Sequence, residues 1–149
     1  MTLTLEDLAV PKGAYDLSTV LEHWAWRVDE SFSPLLPTAL GNVFLERTDR
    51  SIWLLDTWSG ELHRVCDTYE TFRLAITQDQ EFLRHWFLSD VNAEILETGI
   101  QRMADQCFSP FVSPSLGGTI APENFSAISL NAQLATMAAE CRALRGPHA

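Results

Sequence analysis

The stretch Gly41–Ile76, GNVFLERTDRSIWLLDTWSGELHRVCDTYETFRLAI, decides the fold. It holds three short strand-like runs: Asn42 to Arg47, Ser51 to Asp56 and Glu61 to Val65. The breaks between them, Thr48-Asp49-Arg50 and Thr57-Trp58-Ser59-Gly60, have hairpin length and turn chemistry. An antiparallel meander is expected. Side chains alternate across a strand, so Val43 and Leu45 share one face of the first run, and Ile52 and Leu54 share one face of the second. Trp53 and Leu55 lie opposite Ile52 and Leu54, and Trp58 falls in a turn. If helices cover both faces of the sheet, these residues are core. If they do not, the aromatics form an exposed patch of the kind that anchors a protein partner.

Downstream, helical spacing takes over. Asp67 or Thr68 can cap a helix containing Tyr69, Phe72 and Ile76. Asp79 precedes a second helix, with Phe82, Leu83, Trp86 and Phe87. A third starts near Asp90 and carries Val91, Ile95, Leu96, Ile100 and Met103. Pro110, Pro114, Gly117, Gly118 and Pro122 make residues 107–126 irregular. Ala127 to Leu130 can add a strand, and Asn131 can cap a final helix through Leu134, Met137, Cys141 and Leu144. Upstream, Asp16 or Ser18 is expected to cap a helix bearing Val20, Leu21, Trp24, Val28 and Phe32, ended by Ser33, Pro34 and Pro37. Residues 1–15 read as a leader that packs on the domain or stays loose, and residues 146–149 as a frayed tail. Strands grouped between helices predict a single α+β domain over residues 1–149, a β-meander packed with several helices.

Acids outnumber bases by 20 to 10, for a net charge of −10. That disfavours nucleic acid and anionic membrane, both of which call for Lys and Arg. It suits a basic protein partner and speeds encounter with one. Eleven acids fall in residues 1–67, eight in residues 68–123 and one, Glu140, thereafter. An acidic binding face is therefore expected from the first 123 residues. No basic stretch with an apolar core opens the chain, and no apolar run approaches the ~18 residues of a membrane span. With three widely spaced cysteines, Cys66, Cys107 and Cys141, the cytoplasm is the expected compartment.

Patterns for chemistry are sparse. There is no Walker phosphate loop and no dinucleotide fingerprint, so no cofactor is expected. His63 with Cys66, and Glu81 with His85, each lack a second pair to complete a metal site. Ser-x-x-Lys and Gly-x-Ser-x-Gly are absent, and the only lysine is Lys12. Adjacent carboxylates such as Asp29-Glu30 are common on solvated helix faces. Gly117-Gly118 reads as a turn needing positive φ. The chain is expected to bind and not to catalyse.

The strand–turn–strand–Gly-turn–strand–helix cadence of residues 41–76, followed by PSLGGTIAPENF at 114–125, resembles the C-terminal domain of bacterial type VI secretion system immunity proteins that protect against DNase effectors. More distantly it resembles the SUKH immunity superfamily. The resemblance covers about residues 38–145, and Leu116-Gly117-Gly118 with Glu123-Asn124 is its most specific part. Asp56, Gly60, Gly117, Gly118 and Asn124 match and read as turn residues that determine the fold. The resemblance implies no catalytic residue. It implies an immunity protein that binds and neutralises a cognate toxin effector, basic and nuclease-like, encoded by the adjacent gene. The alternative is a non-enzymatic adaptor or regulatory interaction domain of the same fold.

Charge and placement on the first helix and meander select Asp29, Glu30, Asp49, Asp56 and Glu61 as partner contacts, with Trp58 as an apolar anchor. The cysteine usage makes a direct prediction. Thiol titration of the freshly purified, denatured protein should count three thiols, whereas an intramolecular bridge would leave one.

Overall fold

The computed structural model describes residues 3–11, 13–16, 19 and 21–145. Among the described residues the elements include α1 (Leu5–Leu8), a 3-10 turn at Glu22–Trp24, β1 (Phe32–Pro37), β2 (Val43–Arg47), β3 (Ile52–Asp56) and β4 (Glu61–Cys66). Then come α2 (Tyr69–Gln78), α3 (Gln80–Trp86), α4 (Ser89–Glu97), β5 (Gln106–Pro110), β6 (Phe125–Ser129) and α5 (Leu130–Arg145). Strands β1 to β4 form an antiparallel sheet in sequence order, and β5 pairs with β6 in a second, two-stranded sheet. The fold is α+β, with the expected meander as β2–β3–β4.

Both faces of the large sheet are covered. Phe44, Ile52 and Leu54 lie in one cluster with Phe72 of α2, Leu83 of α3 and Phe87, the residue that caps the end of α3. Phe44 sits at its centre, 4.9 Å from the ring centroids of both Phe72 and Phe87. Val43, Leu45 and Leu55 belong to the other cluster, with Trp24, Phe108, Phe125, Leu134 and Met137. Trp24 is fully buried, and its Nε1 donates to the Leu134 carbonyl of α5 at 3.0 Å. Burial of this many large side chains, each worth about 1.5–3 kcal/mol, makes the two clusters the main stabilising feature.

The helix caps follow the residue chemistry. The Thr68 hydroxyl accepts the Thr71 N–H at the start of α2, and Asp79 accepts the Phe82 N–H at the start of α3. At α5, Ser129 in place of the expected Asn131 accepts the Ala132 N–H at 3.1 Å. Helix α4 stops at Glu97, short of Ile100 and Met103, where Gly99 turns at φ +89°.

Two expectations are corrected. Of the helix expected from Asp16 to Phe32, Thr19 is helical among the described residues, Glu22–Trp24 is only a 3-10 turn, the chain does not stay helical to Phe32, and Phe32–Pro37 is strand β1. Pro34 and Pro37 lack N–H donors, yet β1 is an edge strand where that loss is tolerated. The Asp29 side chain bonds the Ser31 N–H at 2.8 Å, which offers the backbone an alternative to a helix. Ser18 and Val20 of that expectation, and the tail 146–149, lie outside the described residues. In the stretch expected to be irregular, Gln106–Pro110 forms β5, paired Phe108 to Ala127.

The described part of the leader packs on the domain. Leu8 and Val10 are fully buried, and Ala9 bridges Thr38 beyond the β1 edge. The Arg102 guanidinium clamps it, donating to the carbonyls of Glu6 at 3.0 Å and Ala9 at 2.9 Å, and to Gln106 at 3.2 Å. Arg102→Met keeps the apolar stem and removes these donors. Amide exchange should then accelerate at Val10 and Ala39, whose N–H groups bond Pro37 and Leu8, with α2 and α3 unchanged. Unaltered exchange at both amides would show that Leu8 and Val10 alone hold the segment.

Candidate partner-binding surface

The structure divides the six sequence-selected residues between opposite ends of the meander. Asp29, Glu30 and Asp49 gather at the β2–β3 turn, where the Thr48 N–H bonds the Ser31 carbonyl at 2.8 Å. Asp56, Trp58 and Glu61 lie at the β3–β4 turn. Strand β3 separates the groups, and at ~3.3 Å per residue its length puts them roughly 15 Å apart.

At the first end the acids have local work. Asp29 accepts the Ser31 hydroxyl and N–H, and Asp49 accepts the Ser51 hydroxyl and N–H. These bonds hold both carboxyls below the usual carboxylate range, helped by Arg47, and by Arg64 at Asp49. The same two guanidiniums lie over aromatic rings. Arg47 is 5.1 Å from the Phe32 centroid and 5.6 Å from that of Trp53, while Arg64 is 6.0 Å from Trp53. This end is a mixed cluster of acids, guanidiniums and half-buried aromatics, and not an acidic face. Glu30 is its exposed acid with no turn to cap.

At the second end Asp56 caps a turn, accepting the Trp58 N–H at 2.9 Å. Glu61 is exposed, 3.4 Å from His63 Nε2. Trp58 is 7 % exposed and packs on Phe125. Its carbonyl accepts the hydroxyls of Ser113, at 3.3 Å, and Ser115. The expectation of Trp58 as an exposed anchor is therefore corrected: its ring is part of the core cluster, against Phe125.

The loop after β5, bonded to the Trp58 carbonyl, carries four exposed large apolar side chains. Phe111 is 70 % exposed, Ile120 53 %, Leu116 50 % and Val112 47 %. Asn124 holds the loop closed. Its amide nitrogen donates to the carbonyls of Val112 at 2.8 Å and Thr119 at 2.7 Å, and its side-chain oxygen accepts the Val112 N–H at 3.1 Å. Gly117 adopts φ +92°, and a Cβ on Gly118 would lie 1.7 Å from the Val112 carbonyl oxygen. Thus Asp56, Gly117, Gly118 and Asn124, singled out in the sequence, each hold a turn. The exposed apolar side chains they support were not singled out. The available signal was charge: from Gln106 to Ser129 the only charged residue is Glu123.

A second surface also escaped the sequence reading. Asp90, Glu94 and Glu97, spaced four and three apart on α4, are exposed on one helix face. Helix α1 packs against α4, and Glu6 and Asp7 line a groove with Leu96, Arg102 and Met103. Asp90 is paired with Arg84 at 3.2 Å.

Reactive groups are few. Burial pushes the Cys107 thiol up to about 12 and that of Cys141 to about 11, and raises Cys66 as well, so all three are protonated at neutral pH. Among the described residues no group of three or more His, Cys, Asp or Glu is placed to hold a metal ion, and no helix is long and apolar enough to cross a membrane.

The two glycines of the loop predict different costs. Gly117→Ala meets open space and incurs only the left-handed backbone penalty, about 1–2 kcal/mol. Gly118→Ala forces the Val112 backbone to move and should destabilise more. Urea unfolding of both variants tests the order, and equal losses would show that the contact relaxes freely.

No protein-family model matches the chain, and no curated protein matches it. Among solved structures, it is similar to the crystal structure of Atu4351 from Agrobacterium tumefaciens, with a TM-score of 0.57 and 15 % identity over 88 % of this chain and 69 % of that one. At this identity the likeness shows the fold alone.

Proposed function

We propose that this chain is an immunity protein that binds and neutralises a cognate bacterial toxin effector, nuclease-like and basic, in the cytoplasm. The observation that carries the reading is the net charge of −10, with Glu30, Glu61, Glu94 and Glu97 exposed on several sides of the molecule. A nuclease holds its substrate by positive charge, so an acidic protein competes for the same surface. The type VI immunity resemblance of residues 41–76 and 114–125 supports the reading independently of charge. Three unbridged cysteines suit a reducing compartment.

The test is binding to the product of the adjacent gene, with association and dissociation rates measured across a salt series. Glu30→Lys with Glu61→Lys should slow association roughly threefold to tenfold at low salt and leave dissociation nearly unchanged, because exposed charges steer encounter. An association rate indifferent to both salt and charge reversal would remove the electrostatic basis. A chain that binds no neighbour-encoded protein would favour the adaptor reading.

A further inference from the structure

We propose that the loop of residues 111–120 is the apolar anchor of this protein, inserting Phe111 into an apolar pocket of a basic partner protein. The inference rests on the toxin-binding reading for the partner's identity, and on the loop itself for the contact.

Four large apolar side chains, Phe111, Val112, Leu116 and Ile120, stand 47 % to 70 % exposed within ten residues. A soluble chain gains nothing from such exposure, and a concentration of it marks an interaction site. The loop is also held in shape. Asn124 ties both of its ends, Gly118 lets them approach, and the Ser113 and Ser115 hydroxyls fasten it to the Trp58 carbonyl. A pre-shaped loop loses little conformational freedom on docking, so the burial of Phe111 goes into affinity.

Charge selects the occupant. The segment 106–129 carries Glu123 alone, so the anchor offers no ionic contact and must be met by apolar surface. The rest of the molecule is strongly acidic, and Glu61 stands exposed at the turn on which the loop rests. Two copies at −10 each repel one another, which disfavours self-association through this loop. A partner of positive charge is attracted to the acidic surroundings and retained by the anchor. The two roles fall on different rates: rim acids set association, and the buried aromatic sets dissociation.

The experiment uses the full chain, the purified product of the adjacent gene, and the variants Phe111→Ser and Ile120→Ser. Both side chains are exposed, so melting curves should match the wild type. Phe111→Ser is expected to weaken binding by at least about 30-fold, almost wholly through faster dissociation, with the salt dependence of association retained. If both variants bind like the wild type, the loop is not the anchor, while the toxin-binding reading stands. If the wild type does not bind the adjacent product, the partner assignment fails for both. Light scattering supplies the remaining outcome: a dimer that Phe111→Ser dissociates would overturn the proposal in favour of self-association.

Discussion

The sheet is buried on both faces, and this constraint governs the rest of the molecule. In β2 the consecutive residues Val43, Phe44 and Leu45 are all fully buried, and β3 repeats the pattern with Leu54 and Leu55. In a sheet with one wet face, a one-residue slip moves apolar groups into water, and polarity fixes the register. Here both faces are apolar at the centre, so polarity gives weak guidance. The register, Val43 opposite Leu55 and Asp56 opposite Glu61, must be set at the turns. Aspartates stand there: Asp49 on the Ser51 N–H before β3, and Asp56 on the Trp58 N–H after it.

This division of labour changes the meaning of the acidic composition. Asp29, Asp49 and Asp56 bond the backbone two residues onward, a habit of aspartate in turns. Glutamate, one methylene longer, is poorly suited to that bond, and Glu30, Glu61, Glu94 and Glu97 all stand exposed. For the candidate residues, the type of acid separates structure from surface better than position along the chain.

The elements legible in the sequence are those specified by neighbours. The meander and the caps at Thr68 and Asp79 follow from residues a few positions apart. The missed features depend on distant partners. Phe32–Pro37 reads as a helix stop because two prolines fall there, and only its place at a sheet edge makes it a strand. Gln106–Pro110 becomes a strand because Phe125–Ser129 lies beside it. Trp58 reads from the sequence as either core or exposed, and only its packing on Phe125, more than sixty positions downstream, decides for the core.

The bond from Trp24 to Leu134 has a temporal consequence. It joins residues 110 positions apart, and the cluster around it needs α5, the last described element. Local contacts form quickly, and those closing long loops form late. The face of the sheet that carries α2 and α3 can therefore assemble while the chain is still emerging from the ribosome. The opposite face, bearing Val43, Leu45 and Leu55, is completed only when α5 adds Leu134, Met137 and Cys141 to the cluster. A chain stopped short of α5 presents an apolar sheet face to solvent, the sort of surface that chaperones and proteases recognise. Completion of the second cluster thus waits on the C-terminal helix.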